Sequence, residues 1–227
     1  MGQRAFKDQM YAQFARLGKA LASPGRLELL DLLAQGERPV EALAQEAALS
    51  VANTSAHLKV LHQARLVESR KEGLRVYYRL ADPAVYRLWS ALRHVGERQL
   101  AEIDRLVATY LQERDGLEAI ARDELRRRLA EGTVAVVDVR PTEEYRQGHI
   151  AGARSIPLAE LAGRLDDLEA TGALVVAYCR GPYCVFADEA VALLRARGYH
   201  ALRYEEGYPD WAAAGLPVGR DVRAVVA

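Results

Sequence analysis

From Phe6 to Leu33 apolar residues recur at the three- and four-residue spacing of amphipathic helices. The pattern breaks at Ser23-Pro24-Gly25, where a capping serine and a first-turn proline start a second helix. Gly36 closes that helix. Residues 40–47 read as a short third helix, and Ser50 as the N-cap of a fourth that runs to Ala64. On the fourth helix Val51, Thr54, Leu58 and Leu61 fall on one side, Asn53, Ala56, Lys59 and Gln63 on the other, and His57 on the flank. Two β-prone runs, 66–70 and 75–80, bracket Lys71-Glu72-Gly73-Leu74 and predict a hairpin with a basic tip. A long amphipathic pattern then occupies 82–114, with Val85, Leu88, Leu92, Val95, Ile103 and Leu106 among its apolar positions.

After a polar, glycine-ended connection at 112–116 the period changes. Helices are predicted over 123–130, from Pro141, over 158–168 and over 185–197. Between them lie continuous apolar runs at 133–139 and 174–178, with shorter strands near 154–156 and 200–204. Such alternation implies an α/β domain with a largely parallel sheet. The expected fold is therefore two domains: a mainly α winged helix-turn-helix over 1–115, then an α/β parallel-sheet domain over 118–221.

Composition narrows the class without naming a function. Half of the 227 residues are hydrophobic, enough for two real cores. Two cysteines are too few for a disulfide framework, and the N-terminus lacks the apolar run of a signal peptide, so a cytoplasmic protein with reduced thiols and no membrane partner is expected. The zero net charge hides an asymmetry: up to Asp115 there are 17 Lys and Arg against 14 Asp and Glu, and the remainder carries the opposite excess. Between Ser50 and Leu80 six basic residues face two acidic ones. That excess is either a solvated face or a footprint for nucleic acid, and the pattern beneath it decides.

The short third helix, the tight connection at 48–50 and the polar outer face of the fourth helix make a helix-turn-helix, and the hairpin makes its wing. "LASPGRLELLDLL" and "LSVANTSAHLKVLHQARLVESRKEGLRVYYRL" resemble the ArsR family of dimeric bacterial repressors over residues 10–110. The resemblance implies that the helix from Ser50 enters the major groove, with Asn53, Ser55, His57 and Lys59 as groove contacts and with Arg26, Lys71 and Arg75 on phosphates. It also implies a homodimer, built on the first and last helices, that binds double-stranded operator DNA. A winged helix used only for protein contact is the alternative, as is a last helix packed within its own chain. Many members of the family sense metals through cysteines near the third helix or through His and acidic residues on the last. Here the third helix has no cysteine and the last has the single histidine His94, so no metal and no cofactor are expected.

Both cysteines lie in Tyr178-Cys-Arg-Gly-Pro-Tyr-Cys184, between the end of a central strand and the start of a helix. Ligands of open α/β sheets bind beyond the carboxyl ends of strands, and a helix N-terminus supplies N–H groups and positive potential that favour a thiolate. "VVDVRPTEEYRQGHIAGARSIPL", "VVAYCRGPYC" and "GYPDWAAAGLPV" resemble the rhodanese domain over residues 118–220. The resemblance implies that Cys179 takes the outer sulfur of thiosulfate or a low-molecular-weight persulfide and holds it as a persulfide. Arg180, Gly181, Pro182, Tyr183, Cys184 and Val185 would cradle that group, Arg180 would orient an anionic donor, and Asp138, Arg140, Glu144 and His149 would organise the surrounding fold.

Two positions depart from the family. Glu206 stands where the family often has the first of two glycines, and Cys184 is an additional thiol, either a compact residue in the first turn of the next helix or a resolving thiol for Cys179. Val185 occupies the place where phosphatase-like relatives carry an arginine, which argues against phosphate or arsenate chemistry. Three readings follow. The first is a repressor whose rhodanese domain senses sulfane sulfur on Cys179. The second is a sulfurtransferase with an attached DNA-binding module. The third is a metalloid-responsive repressor with Cys179 and Cys184 as soft ligands, completed by His94, His200 or a partner chain.

Overall fold

The computed structural model describes residues 2–111, 117–168 and 174–221. The connection expected at 112–116 lies outside the described residues. The chain divides into two compact units, Met1–Leu92 and Arg93–Ala227.

In the first unit α1 (Gln3–Leu21) and α2 (Pro24–Ala34) are followed by β1 (Arg38–Pro39), α3 (Val40–Glu46), α4 (Val51–Gln63), β2 (Val67–Glu72), β3 (Arg75–Leu80) and the start of α5 (Pro83–Gln99). Leu29, Leu30, Leu33, Leu43, Leu58, Leu61 and Val67 form one buried core. Thr54, Leu58 and Leu61 face it as the periodicity requires, whereas Val51, assigned to the same side, is 49% exposed in the first turn of α4. The hairpin β2–β3 turns through Gly73-Leu74, with Gly73 at φ 59°, a value at home in glycine. β1 is an addition to the expected elements: two residues long, it pairs antiparallel with β3 and makes the wing a three-stranded sheet. Strands this short carry no sequence period.

Two turns of the first unit are set by the same device. After α3 the Leu49 N–H reaches back to Ala44 O at 2.9 Å, and after α4 the Leu66 N–H reaches Leu61 O at 3.0 Å. These are Schellman closures, whose left-handed residue is usually glycine. Here Ala48 (φ 51°) and Arg65 (φ 60°) hold that position.

The long amphipathic pattern is not one helix. It stops at Leu100, whose extended backbone (φ −112°, ψ 95°) separates α5 from α6 (Ala101–Tyr110). Gly96 makes the fold-back fit, because a Cβ there would stand 3.2 Å from Ile103 Cδ1.

The second unit also contains β4 (Ala119–Ile120), α7 (Arg122–Glu131), β5 (Val134–Asp138), α8 (Thr142–Gln147), β6 (His149–Ile150), β7 (Arg154–Ser155), α9 (Leu158–Leu161), β8 (Leu174–Cys179), α10 (Phe186–Ala196), β9 (Ala201–Gly207), α11 (Tyr208–Ala213) and β10 (Val218–Gly219). Five strands form a parallel sheet in the order β4-β9-β8-β5-β7, so β8 is central. Alternation along β8 sends Val175, Ala177 and Cys179 to the face packed by Ala190, Val191 and Leu194 of α10. Val176 and Tyr178 go to the face that holds Leu125, Tyr204 and Trp211. The cysteine loop thus begins at the carboxyl end of the middle strand and runs into α10.

Candidate functional site

Ser50 caps α4 by accepting the Asn53 N–H at 3.2 Å. Asn53, Ser55 and Lys59 are exposed on α4, while His57 is half-buried, with its Nε2 3.3 Å from where a Cβ on Gly25 would stand. His57 therefore lies against the first turn of α2, on the flank of the helix. The basic residues around the wing separate into two groups. Arg70 is bound by Glu37 and Glu72, and Arg79 by Glu68. Lys59, Lys71 and Arg75 are exposed and, among the described residues, make no ion pair, which leaves their charges available to phosphates. Arg26, expected on a phosphate, has other work: its guanidinium donates to the carbonyls of Lys19, Ala20 and Ala22 and closes the C-terminus of α1.

In the second unit the cysteine loop rests on a buried polar frame. Arg140 forms an ion pair with Asp138, both fully buried, and also donates to Gly148 O at 2.7 Å. Burial opposes the charge on Arg140, but Asp138 outweighs it and leaves the pKa above the ordinary guanidinium value. The Tyr178 hydroxyl donates to Asp138 at 2.5 Å and accepts the Ile150 N–H at 3.1 Å. Burial, then Asp138, raises its pKa well above that of a free phenol.

At the loop itself Cys179 is 1% exposed and Cys184 half-buried. Their Cα atoms are 6.3 Å apart and their sulfurs are joined in a disulfide. The expectation of reduced thiols therefore gives way to a bonded pair, and the geometry brings Cys184 onto Cys179.

The site differs from expectation at two further points. Arg180 was expected to orient an anionic donor, but its guanidinium is engaged by Glu144 of α8, with Nε 2.9 Å from Oε1, so its charge is neutralised locally. The cradle is also smaller than six residues. Pro182 has no N–H, and the Cys184 N–H is spent on Gly181 O at 3.1 Å, leaving Arg180, Gly181, Tyr183 and Val185 as its candidate donors.

Gly207 holds the loop from below. A Cβ at this position would lie 2.5 Å from the Gly181 amide nitrogen and closer still to the Arg180 carbonyl, so only glycine admits the loop backbone. Glu206, the departure from the double glycine, sits in the unbroken strand β9. It is bound by Arg122 at 2.7 Å and by the Tyr204 hydroxyl at 2.7 Å.

Sequence reasoning missed three residues around the loop: Arg93, Glu97 and Asp210. The Tyr183 hydroxyl donates to Glu97 Oε1 at 2.6 Å, and Arg93 Nη2 donates to Asp210 Oδ1 at 2.7 Å. Only Asp210 left a local signal, as the acid three residues into a helix after Gly207, whose N–H it accepts at 3.2 Å. Among the described residues no group of three or more His, Cys, Asp or Glu side chains is placed to hold a metal ion. No helix of the described residues is long and apolar enough to cross a membrane.

Comparison with known proteins assigns both units. The model of bacterial regulatory proteins of the arsR family matches residues 23–69, and that of the rhodanese-like domain matches residues 121–214. The HTH-type transcriptional regulator Rv0324 of Mycobacterium tuberculosis is 48% identical over 96% of this chain and 95% of its own length. A transcriptional repressor SmtB homolog of Synechocystis is 38% identical over 45% of this chain and 67% of its own. The homodimeric winged helix-turn-helix DNA-binding domain of Mb0332 from Mycobacterium bovis, a solved structure, is 46% identical. It covers 44% of this chain and 93% of its own, with a TM-score of 0.41. The two family models and the full-length likeness to Rv0324 agree: the chain belongs to the ArsR family of DNA-binding transcriptional regulators, in a form that carries a C-terminal rhodanese-like domain.

Proposed function

We propose that the chain is a homodimeric repressor that senses sulfane sulfur through Cys179. The observation that carries this reading is the seating of Cys184 on Cys179 at the carboxyl end of the central strand. A Cys179 thiolate attacks the outer sulfur of a persulfide donor R–S–SH, the donor's S–S bond breaks, RS⁻ leaves, and Cys179 carries the sulfane sulfur. The Cys184 thiolate then attacks Cys179 Sγ. A Cys179–Cys184 bond forms, the bond to the sulfane sulfur breaks, and that sulfur leaves with the electron pair as hydrosulfide. The donor's sulfur is the oxidant, so two thiols become a disulfide with no other reagent. An external low-molecular-weight thiol, itself oxidised, restores the pair.

Two features support the repressor half. Lys59, Lys71 and Arg75 are exposed cations on the helix and wing that make no ion pair among the described residues, with Asn53 and Ser55 as short polar side chains for base edges. Phe6, Tyr11 and Phe14 of α1 and Leu88, Leu92 and Val95 of α5 are large, apolar and exposed, as a face that pairs with a second copy requires.

The test is affinity for DNA upstream of the chain's own gene, at one salt concentration, before and after a persulfide donor. The wild type is expected to change affinity and Cys179→Ser is not. Equal binding by both with and without sulfur overturns the sensing reading and leaves a DNA-binding protein with an appended sulfurtransferase domain. Cys184→Ser should take up sulfur and hold it as a persulfide, visible as a 32 Da adduct by mass spectrometry, about one sulfur by atomic mass.

A further inference from the structure

The chemistry at the loop needs a route to the rest of the chain, and the second unit contains a closed ring of contacts that supplies one. Tyr183, next to Cys184, donates to Glu97 of α5 at 2.6 Å. Glu97 stands 3.7 Å from the Arg93 guanidinium one turn earlier, and Arg93 donates to Asp210 at 2.7 Å. Asp210 accepts the Gly207 N–H at 3.2 Å, and Gly207 lies directly beneath Arg180 and Gly181, at the other end of the same loop. The C-terminal half of α5 is thus held by both ends of the cysteine loop, one through Tyr183 and the other through Gly207 and Asp210.

We propose that Tyr183 is a positioning residue that reports the bonding state of Cys179 and Cys184 to α5 through Glu97, with the Arg93–Asp210 ion pair as the fixed point against which α5 moves.

Three observations separate this ring from an incidental surface contact. First, its two anchors differ in kind. Arg93 and Asp210 are 7% and 5% exposed and firmly held, whereas Tyr183 is 44% exposed and sits on the segment that must move when Cys184 leaves Cys179. A pair with one rigid and one movable arm converts loop motion into displacement of the helix between them. Second, the Tyr183 hydroxyl is a dependable donor: burial, then Glu97, raises its pKa, so it keeps its proton throughout the neutral range. Third, α5 is one continuous helix from Pro83 to Gln99, so a shift at Glu97 is passed along its own backbone toward Pro83.

The inference rests on the sulfur-sensing reading for its biological input, but its geometry can be tested apart from it. The full chain is examined fully reduced and as the Cys179–Cys184 disulfide, and hydrogen exchange is followed at the α5 amides from Arg93 to Gln99. The wild type is expected to differ between the two states by at least about threefold at these amides. Tyr183→Phe, which removes one oxygen from an exposed side chain, should abolish the difference, and Glu97→Gln, which keeps an acceptor for the phenol, should retain it.

DNA affinity is then read in the same two states. Glu97→Ala, which removes the acceptor and leaves every residue of the loop in place, should match the wild type when reduced, still form the disulfide on sulfur treatment, and lose most of an affinity change expected to be at least about fivefold. Equal α5 exchange in the two states of the wild type overturns the coupling, and so does a Tyr183→Phe or Glu97→Ala chain that responds like the wild type. A wild type whose α5 exchange changes while its DNA affinity does not upholds the coupling and sinks the sensing reading instead.

Discussion

The two candidate sites of this chain use their polar groups in opposite ways. On α4 and the wing the groups that the proposed function offers to DNA, Asn53, Ser55, Lys59, Lys71 and Arg75, are exposed, and among the described residues the three cations make no ion pair, while Arg70 and Arg79 are already neutralised. Around the cysteine loop the groups are engaged in pairs, Arg180 with Glu144, Tyr183 with Glu97, Asp210 with Arg93, over a buried Asp138–Arg140 frame. A surface that reads a polyanion gains from loose cations, because counterion release rather than fixed geometry supplies its affinity. A site that hands one sulfur between two others gains from fixed geometry. The first should therefore tolerate substitution and the second should not.

That contrast is sharpest at Arg140→Met. Removing the guanidinium leaves Asp138 buried and uncompensated, and the expected loss is about 3–5 kcal/mol in denaturant unfolding. A loss under about 1 kcal/mol would show the frame to be dispensable and dissolve the comparison. Next comes Gly207→Ala. Gly207 has φ −125°, which any residue accepts, so the whole effect is steric, against the Arg180 carbonyl and Gly181 amide. A cost near the upper end of overpacking, about 3 kcal/mol, is expected together with loss of sulfur uptake.

Alkaline pH probes the same frame. Tyr178 and Tyr204 both have pKa values raised, by burial first and then by Asp138 and Glu206 respectively. Above about pH 10 the unfolded chain loses these protons and the folded chain keeps them, so their stabilising contribution is complete below that pH and falls above it. The expected slope is about 1.4 kcal/mol per tyrosine per pH unit, followed as denaturation midpoint against tyrosinate absorbance.

On the other site, Arg75→Ala should weaken binding of all DNA sequences alike and reduce the salt slope by about 1. Asn53→Ala should cost about 1–3 kcal/mol on the operator only. Equal loss on every sequence for Asn53→Ala would remove it from the groove. The smallest effect is a gain. Ala48→Gly relieves a left-handed alanine and should raise stability by about 1 kcal/mol, seen as a higher midpoint without a change in slope.

What the sequence made legible follows the same division. The α4 face could be read from period alone, since Thr54, Leu58 and Leu61 are spaced as a helix demands and their opposite face is exposed by geometry. The placement of both cysteines at the end of a central strand was also readable, because Leu174 to Tyr178 is a buried run with a loop and helix behind it. The partners of that loop were not. Arg180 meets a glutamate 36 positions earlier, Tyr183 one 86 positions earlier, and Arg93 an aspartate 117 positions later. No local pattern encodes such pairs. The contacts of Arg26 were hidden for the reverse reason: its partners at 19, 20 and 22 are local, but a basic residue at a helix start looks the same whether it faces DNA or the carbonyls of the helix before it.

In the proposed cycle the unequal exposure of the two cysteines sets the order in which the loop is reset. A thiol approaching the disulfide reaches the half-buried Cys184 more readily than Cys179, which is 1% exposed. The mixed disulfide therefore forms on Cys184, and the leaving group is the Cys179 thiolate. The outer sulfur serves as the door for reductant, the inner one is returned first as nucleophile, and a second thiol then removes the cap from Cys184 and leaves as the disulfide, which readies the pair for the next turn.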